Sequence, residues 1–217
     1  MKFIALIPAR LAATRFPNKL MQKLGDKTVI ATVYAATKNT GLFNEVIVVT
    51  DSEDIKQEIE KEGGTAIISK KEHESGTDRI AEVAAGMEDA IIVNVQGDTP
   101  FINAESLKKL LDQFNDESVQ VASIMQVLPQ EEVANPNSVK VCVANNGNAL
   151  YFSRSVIPFA RNKDVPVTYY KHIGVYAFRK KALVDFTKWP VSILENIEKL
   201  EQLRYLENGV AVRMVLT

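Results

Sequence analysis

Three basic residues follow the first apolar segment of the chain and have no acidic neighbour in sequence. Phe3–Ile7 has the apolar, partly β-branched composition of a buried strand, and Arg10, Arg15 and Lys19 come after it. The first acidic residue of the chain is Asp26, so no carboxylate close in sequence neutralises these cations. One arginine can bind two phosphate oxygens at once, and lysine attracts phosphate as a point charge. The loop therefore predicts a site for a polyanion such as a triphosphate, and a solvated basic loop is the alternative.

A single carboxylate stands at the end of another apolar segment. Ala90–Val95 has the composition of a central strand, and the residues after it are Gln96, Gly97, Asp98 and Thr99. Mg²⁺ prefers oxygen ligands and usually joins one or two protein carboxylates to substrate phosphates. Asp98 is therefore a candidate magnesium ligand. A local turn is the alternative, because Asp and Gly are common turn residues.

Strand-like and helical segments alternate in the first half of the chain. Ser52 can cap a helix that stops at Gly63, and Ser75 precedes Asp78 by three residues, as in a capping box. This alternation predicts an α/β fold with a mostly parallel sheet, whose strands end at one edge where ligands bind. The basic loop and Asp98 are expected at that edge. The predicted strands are Phe3–Pro8, Glu45–Thr50, Ala90–Val95 and Val119–Val127.

The second half of the chain predicts mixed strand directions. A polar loop is expected over Pro158–Thr168, and one long helix is expected from about Ser192 to Glu207. Further strands are predicted at Val139–Val143, Ala149–Ser153 and Ile173–Phe178.

Composition excludes several classes of protein. The net charge of -1 and the pI near 6.2 give no general attraction to nucleic acid or to an acidic membrane. The lone Cys142 cannot form an internal disulfide and is predicted to be a small apolar strand residue. The basic loop lacks the glycine patterns of dinucleotide oxidoreductases and P-loop kinases. With 217 residues and only short apolar runs, we expect one domain over residues 1–217 and a cytoplasmic protein without membrane insertion.

An ordered set of motifs resembles the 3-deoxy-manno-octulosonate (Kdo) cytidylyltransferases, also called CMP-Kdo synthetases. The resemblance runs from Met1 to about Val212. Its elements are IPARLAATRFPNKL from Ile7, Thr50-Asp51, HESGTDRIAE from His73, IVNVQGDTPFI from Ile92, NPNSVK from Asn135, ALYFSR from Ala149, HIGVYAFR from His172 and LEQLRYLENG from Leu200.

The resemblance implies a fold, a reaction and partners. The fold would be a Rossmann-like, twisted, mostly parallel sheet of the sugar nucleotidyltransferase type, with a mixed dimerisation region in the second half. The reaction would couple CTP to the acidic sugar Kdo for lipopolysaccharide or capsule synthesis, with release of pyrophosphate. In it the anomeric hydroxyl of the sugar attacks the α-phosphate, with Mg²⁺ as cofactor. The protein would be a homodimer.

The resemblance also implies roles for individual residues. Arg10, Arg15 and Lys19 would hold the CTP phosphates, and Asp98 would carry Mg²⁺. Three residues would lie near the nucleoside, namely Ser75, Arg79 and Gln96. Five would surround the sugar acid, namely Arg154, His172, Tyr176, Glu201 and Gln202.

The sequence also departs from the pattern of these enzymes. Leu11, Ala13, Asn18 and Leu20 stand where they have tyrosine, serine, glycine and proline, and Thr99 stands where they have glutamate. Asparagine tolerates positive φ better than most residues, so position 18 can keep the backbone of a glycine. A C-terminal segment with the second metal-binding aspartate is expected to be missing.

Two alternative functions follow from these departures. A chain with Asp98 as its only metal carboxylate could be a nucleotide-binding relative that no longer catalyses. A cytidylyltransferase for another acidic sugar, such as sialic acid or an amino-Kdo, shares the fold and the metal chemistry. The motifs HIGVYAFR and LEQLR favour Kdo.

Overall fold

The chain forms two compact units. The computed structural model describes residues 1–11, 18–73, 75–99 and 103–217. The first unit contains residues 1–108 and 177–187, and the second contains residues 109–176 and 188–217. The expectation of a single domain over residues 1–217 stays a prediction. Across the described ranges, no helix is both long enough and apolar enough to cross a membrane.

A parallel sheet forms the centre of the first unit. Strand β1 pairs in parallel with β4 on one side and with β6 on the other, and β4 pairs in parallel with β5. This arrangement confirms the predicted α/β class. The elements of this unit are β1 (Phe3–Ala9), β2 (Lys23–Leu24), β3 (Lys27–Thr28), α1 (Val29–Asn39), β4 (Glu45–Thr50), α2 (Glu53–Lys61), β5 (Thr65–Ile68), α3 (Gly76–Ala85), β6 (Ile91–Asn94) and α4 (Ala104–Asp112), of which α4 continues into the second unit.

The strands of this sheet are buried on both faces. Consecutive residues of β1 from Ile4 to Ile7 are almost fully buried, as are Val48 and Val49 of β4 and Ile92 and Val93 of β6. Such unbroken apolar runs are typical of parallel strands that helices cover on both sides. Helix α1 contacts β1 and β4, and helix α3 contacts β1, β4 and β6.

Side-chain caps begin the helices that connect these strands. The hydroxyl of Thr28 accepts from the amide of Ala31 at the start of α1. Ser52 accepts from Ile55 at the start of α2, which confirms the predicted cap. An unpaired amide at a helix start is destabilising, so these hydroxyls help to define where each helix begins.

Strands of both directions occur in the second unit, as predicted. Strand β7 pairs in parallel with β11, while β8 pairs antiparallel with β9 and with β10. The remaining elements are β7 (Val121–Val127), β8 (Lys140–Val143), β9 (Ala149–Ser153), β10 (Tyr170–Arg179), α5 (Lys180–Phe186), α6 (Ile193–Glu198), α7 (Gln202–Glu207) and β11 (Val212–Leu216), of which the end of β10 and all of α5 belong to the first unit.

The prediction of one long helix from Ser192 to Glu207 is wrong. The chain forms the two short helices α6 and α7, and Lys199 between them has left-handed backbone angles, with φ of 54°. The break brings Glu195 against Arg204 in a buried ion pair with two short contacts, of 2.7 and 2.6 Å. On a straight helix these residues would be separated by about 13 Å along the axis. The ion pair therefore requires the turn.

Candidate functional site

Four parallel strands of the first unit end at one edge of the sheet, and polar residues follow each of them. Arg10 comes directly after β1, Asp51 after β4, Ser69 after β5 and Gln96 shortly after β6. Parallel pairing places the carboxyl ends of these strands on the same side. The edge is the ligand-binding side of open α/β sheets. The sequence predicted this position for the basic loop and the carboxylate.

Lys19 and Asp98 meet at this edge although 79 residues separate them. The Nζ of Lys19 lies 2.7 Å from Oδ2 of Asp98. About half of each side chain is exposed, at 47% for Lys19 and 48% for Asp98. An ion pair of this exposure contributes only ~0–1 kcal/mol, because water solvates both charges and salt screens them. Either side chain can therefore leave this ion pair and bind a ligand at low cost.

Gly97 allows the turn that carries Asp98 to lie against the end of β1. A Cβ atom at this position would lie 2.9 Å from the carbonyl oxygen of Pro8 and 3.3 Å from Cδ1 of Ile30. Any larger residue would push the turn away from β1. The turn therefore needs glycine at position 97, because the two backbones approach closely. Asp98 can be both a turn residue and a metal ligand.

The backbone before Lys19 has an unusual conformation. Asn18 is in the left-handed region, with φ of 57° and ψ of 25°, and its carbonyl accepts from the amide of Met21. A short 3₁₀ turn over Lys19–Met21 follows. Asparagine therefore keeps the conformation that a glycine adopts easily. Arg10 is exposed at the end of β1, and Arg15 lies outside the residues that the structure describes.

Arg79 is held by residues that follow two neighbouring strands. Its guanidinium donates to Oδ2 of Asp51 at 2.7 Å and to Oγ of Ser69 at 3.1 Å, and its side chain is almost fully buried. Ser75 caps helix α3, accepting from the amide of Asp78 at 3.1 Å. Both residues thus have structural partners in addition to the nucleoside roles that the resemblance implies.

Gln96 lies beside an incompletely paired buried amide. Its Nε2 donates to Oδ1 of Asn94 over a long 3.4 Å, and Gln96 is half-buried while Asn94 is fully buried. The amide nitrogen of Asn94 has no hydrogen-bond partner among the described residues. Buried amide groups are nearly always paired, so this donor marks a place where a ligand or a water can bind.

Three of the predicted sugar residues are joined by hydrogen bonds in the second unit. Nδ1 of His172 lies 3.4 Å from Nε2 of Gln202, and the hydroxyl of Tyr176 donates to Oε1 of Gln202 at 3.1 Å. The imidazole packs against the rings of Phe152 and Tyr176, with centroids 5.1 and 5.3 Å away. The resemblance in sequence implied these three residues, and the structure places them together.

Burial keeps this cluster uncharged at neutral pH. Desolvation lowers the pKa of His172 from 6.5 to about 3, because its ring is buried. Burial also raises the pKa of Tyr176 well above its ordinary value, and the nearby carboxylate of Glu201 raises it further. The imidazole and the phenol are therefore neutral hydrogen-bonding groups. They suit hydroxyl recognition better than charge pairing.

Arg154 is anchored by the backbone around it. Its guanidinium donates to the carbonyl oxygens of Glu198, Pro136 and Lys199 at 2.8, 3.0 and 3.4 Å. Lys140, fully buried, donates to the carbonyl of Arg154 itself, and burial lowers the pKa of this lysine. All three acceptors are backbone carbonyls and none is a carboxylate. The guanidinium is thus held in one orientation by uncharged groups.

Several residues of these clusters were given no role on the basis of the sequence. Asp51 and Ser69 hold Arg79, and Ser123 contacts His172. The position of Asp51 directly after the predicted strand Glu45–Thr50 was an available signal, whereas the strand before Ser69, β5, was not predicted. For Ser123, which lies inside β7, the sequence offers no such signal.

No protein-only metal cage is found within the ranges that the structure describes. There, no three His, Cys, Asp or Glu side chains form a group that could hold a metal ion. Asp98 by itself offers one exposed oxygen donor group. Mg²⁺ commonly binds through one or two carboxylates and completes its coordination with water and substrate phosphates. The donor set therefore fits a metal that arrives with a nucleotide.

Comparisons with known proteins show which family the sequence and the fold resemble. The sequence model of the family described as "Cytidylyltransferase" matches residues 4–212. The 3-deoxy-manno-octulosonate cytidylyltransferase of Flavobacterium johnsoniae is 56% identical, over 100% of this chain and 91% of its own length. That of Christiangramia forsetii is 53% identical, over 100% and 89%. A solved CMP:2-keto-3-deoxy-manno-octonic acid synthetase complexed with CTP is 37% identical and superposes with a TM-score of 0.96, covering 100% of this chain and 90% of that one.

Proposed function

We propose that this chain, which belongs to the cytidylyltransferase family, transfers CMP from CTP to 3-deoxy-manno-octulosonate and releases pyrophosphate. The observation that carries the proposal is the 56% identity to a 3-deoxy-manno-octulosonate cytidylyltransferase over the whole chain. The 0.96 TM-score with the synthetase complexed with CTP supports the same substrate pair. Among the described residues, the Lys19–Asp98 pair at the ligand-binding edge supplies suitable charges for a nucleotide.

The triphosphate is assigned to the basic loop of the first unit. Arg10 and Lys19 are exposed at the carboxyl edge of the sheet, where they can bind phosphate oxygens. Arg15 is proposed as the third phosphate ligand on sequence grounds. Charge neutralisation there lowers the barrier to nucleotidyl transfer, because negative charge accumulates on the leaving pyrophosphate. Ser75, Arg79 and Gln96 are proposed to lie beside the nucleoside.

Magnesium is proposed as the cofactor, with Asp98 as its protein ligand. The exposed carboxylate fits this role, and its present partner Lys19 is free to turn to a phosphate when nucleotide binds. Bound Mg²⁺ would neutralise charge on the phosphate oxygens and so make the α-phosphate easier to attack. The side chain of Asp98 would hold the ion at the edge of the sheet.

The sugar acid is assigned to the cluster in the second unit. The anchored guanidinium of Arg154 suits a carboxylate, since arginine pairs carboxylates in fixed geometry. His172, Tyr176 and Gln202 offer neutral hydrogen-bonding groups for hydroxyls, and Glu201 adds an acceptor. In this proposal the residues orient the anomeric hydroxyl, which attacks the α-phosphate without a covalent enzyme intermediate.

Assembly and location complete the proposal. Most exposed large apolar side chains among the described residues belong to the second unit, which supports a homodimer formed through that unit. They include Leu150, Phe159, Ile193 and Ile197. The mass of the purified protein in solution tests this assembly. A cytoplasmic location and a role in lipopolysaccharide or capsule synthesis follow from a reaction that consumes CTP and activates Kdo.

Pyrophosphate release tests the activity directly. The purified chain is incubated with Mg²⁺, CTP and either Kdo or sialic acid, and CTP binding is measured in parallel by calorimetry. We expect pyrophosphate release with Kdo and none with sialic acid. Release only with sialic acid would reassign the sugar, and CTP binding without release under any Mg²⁺ concentration would indicate a nucleotide-binding protein without catalysis.

A further inference from the structure

Ser123 lies between the imidazole of His172 and the backbone of strand β10. It is fully buried within β7. Its Oγ is 2.9 Å from Nε2 of His172, 2.8 Å from the carbonyl oxygen of Val175 and 3.2 Å from that of Ile173. One hydroxyl proton therefore faces three possible acceptors. Two of these acceptors, the backbone carbonyls, can never donate.

The carbonyls determine the direction of the hydrogen bond to His172. The shortest contact of Ser123 is the one to Val175, so its hydroxyl proton goes to that carbonyl. The oxygen of Ser123 then has only lone pairs for the imidazole, and Nε2 of His172 must carry the ring proton. The ring is neutral at physiological pH, so it has one proton to place. Nδ1 is left as an acceptor.

This direction continues to the phenol of Tyr176. With Nδ1 of His172 as an acceptor, the amide nitrogen of Gln202 donates to it, and the amide oxygen of Gln202 faces Tyr176. The tyrosine hydroxyl then donates to that oxygen at 3.1 Å. Reversing the direction of these hydrogen bonds would take the hydroxyl proton of Ser123 from the carbonyl of Val175 and would turn the Gln202 amide over. That carbonyl would then lose this donor.

We propose that Ser123 is a positioning residue for the sugar subsite: it fixes the proton of His172 on Nε2 and so sets the orientation of Gln202 and Tyr176. The inference rests on the proposed function for its link to the sugar acid. The position of the proton itself does not depend on any substrate. The two parts can therefore be tested separately on the same protein.

Nitrogen NMR of the histidine rings tests the position of the proton. The chain has two histidines, so a His73→Gln variant assigns the signals of His172. In the ligand-free protein at neutral pH, we expect a protonated-type shift at Nε2 and an unprotonated-type shift at Nδ1. Ser123→Ala removes the acceptor and is expected to move the proton, in part or fully, to Nδ1. Ser123→Thr keeps the hydroxyl and is expected to restore the original pattern.

A matched control separates this effect from loss of any buried hydroxyl. Ser138 is also buried in the second unit, and its Oγ donates to Glu132 at 2.9 Å. Ser138→Ala is expected to leave the His172 signals unchanged. A wild-type proton on Nδ1, or an unchanged His172 pattern in Ser123→Ala, would overturn the proposal. If Ser123→Ala does not fold, the wild-type spectrum and the threonine variant still decide it.

Steady-state kinetics test the link to the sugar. Ser123→Ala is expected to raise KM for Kdo about tenfold, the effect of one misdirected buried hydrogen bond, and to leave KM for CTP unchanged. A moved proton with an unchanged KM for Kdo would show that these hydrogen bonds do not serve the sugar subsite. If the unmodified protein does not use Kdo, the proposed function fails, whereas the NMR result still decides the assignment of Ser123.

Discussion

The two clusters of candidate site residues differ in how they treat charge. In the first unit, Lys19 and Asp98 are full charges, half exposed, that hold each other in an ion pair. In the second unit, His172, Tyr176 and Gln202 are neutral at physiological pH and are joined by hydrogen bonds, with His172 and Gln202 buried. Exposed ion pairs contribute little to stability, whereas breaking buried hydrogen bonds is costly. The first cluster can rearrange around a ligand, and the second is preorganised.

This difference suits the two proposed substrates. A triphosphate with its metal brings large charges, which mobile ionic groups can neutralise as it binds. A sugar is distinguished by the positions of its hydroxyls, and a site built from buried polar groups discriminates strongly because an unmatched group stays unpaired. We therefore expect substitutions of Lys19 and Asp98 to affect catalysis without affecting folding. Substitutions of His172 and Gln202 should affect both.

Removal of the first-unit carboxylate is the strongest test of this contrast. Asp98→Asn keeps the shape but removes the charge, so we expect kcat/KM to fall about 100-fold or more, in the range found when one transition-state-stabilising group is lost. The free energy of unfolding should change by no more than ~0.5 kcal/mol, as for most surface substitutions. Pyrophosphate release and urea unfolding measure the two quantities.

The control for this prediction is another exposed carboxylate of the first unit. Asp89→Asn removes the same charge from an exposed residue just before β6, at the opposite edge of the sheet, and its turnover should equal that of the unmodified chain. Undiminished Mg²⁺-dependent activity in Asp98→Asn would remove the metal role of Asp98. A large loss of stability would instead remove the contrast between the two units.

The pH dependence of stability tests the second cluster. The pKa of His172 is about 3 in the folded protein and about 6.5 when unfolded, so the unfolded chain binds a proton that the folded chain does not. Stability is therefore lost as pH falls from about 6.5 towards 3. At pH 5 the loss from this group is about 2 kcal/mol. His172→Gln cannot titrate and should not show this part of the loss.

Urea unfolding at pH 8 and pH 5 measures the effect in both proteins. The comparison of the two pH values within each protein cancels the lost contacts of the variant, and His73 is present in both. If the unmodified chain and His172→Gln lose equal stability between these pH values, His172 is not kept neutral by burial. The second cluster would then be as adaptable as the first.

The sequence predicted those features that depend on local pattern. Strands Glu45–Thr50 and Ala149–Ser153 occur where they were expected, because alternation and β-branched composition are local signals. The helix caps at Ser52 and Ser75 were predicted for the same reason. The edge position of Lys19 and Asp98 followed from parallel strand order, which is a rule of topology.

Features that depend on distant contacts could not be predicted in this way. The helix broken at Lys199 has helical composition on both sides, and the buried pair of Glu195 with Arg204 forms across the turn. Arg79 was expected beside the nucleoside, but its partners Asp51 and Ser69 become visible only when β4 and β5 are paired. Such contacts arise from packing of elements that are far apart in sequence.

The smallest effect that we expect concerns Asn18, the residue before Lys19. Its tolerance of positive φ was predicted from the sequence, where asparagine stands in place of a glycine. Asn18 has φ of 57°, which glycine adopts freely and alanine adopts at a cost of about 1 kcal/mol. Asn18→Gly should therefore leave stability and KM for CTP nearly unchanged. Asn18→Ala should lower the free energy of unfolding or raise KM for CTP, since Lys19 follows directly.

Urea unfolding and CTP kinetics on both variants measure this effect. Asn39→Ala is the matched control, because Asn39 is exposed at the end of helix α1, where alanine is favourable. Equal behaviour of Asn18→Ala and Asn18→Gly would mean that the loop relaxes out of the left-handed conformation without consequence. The first cluster would then be adaptable in its backbone as well as in its side chains. The difference in adaptability between it and the preorganised second cluster would then be greater than the exposed ion pair alone indicates.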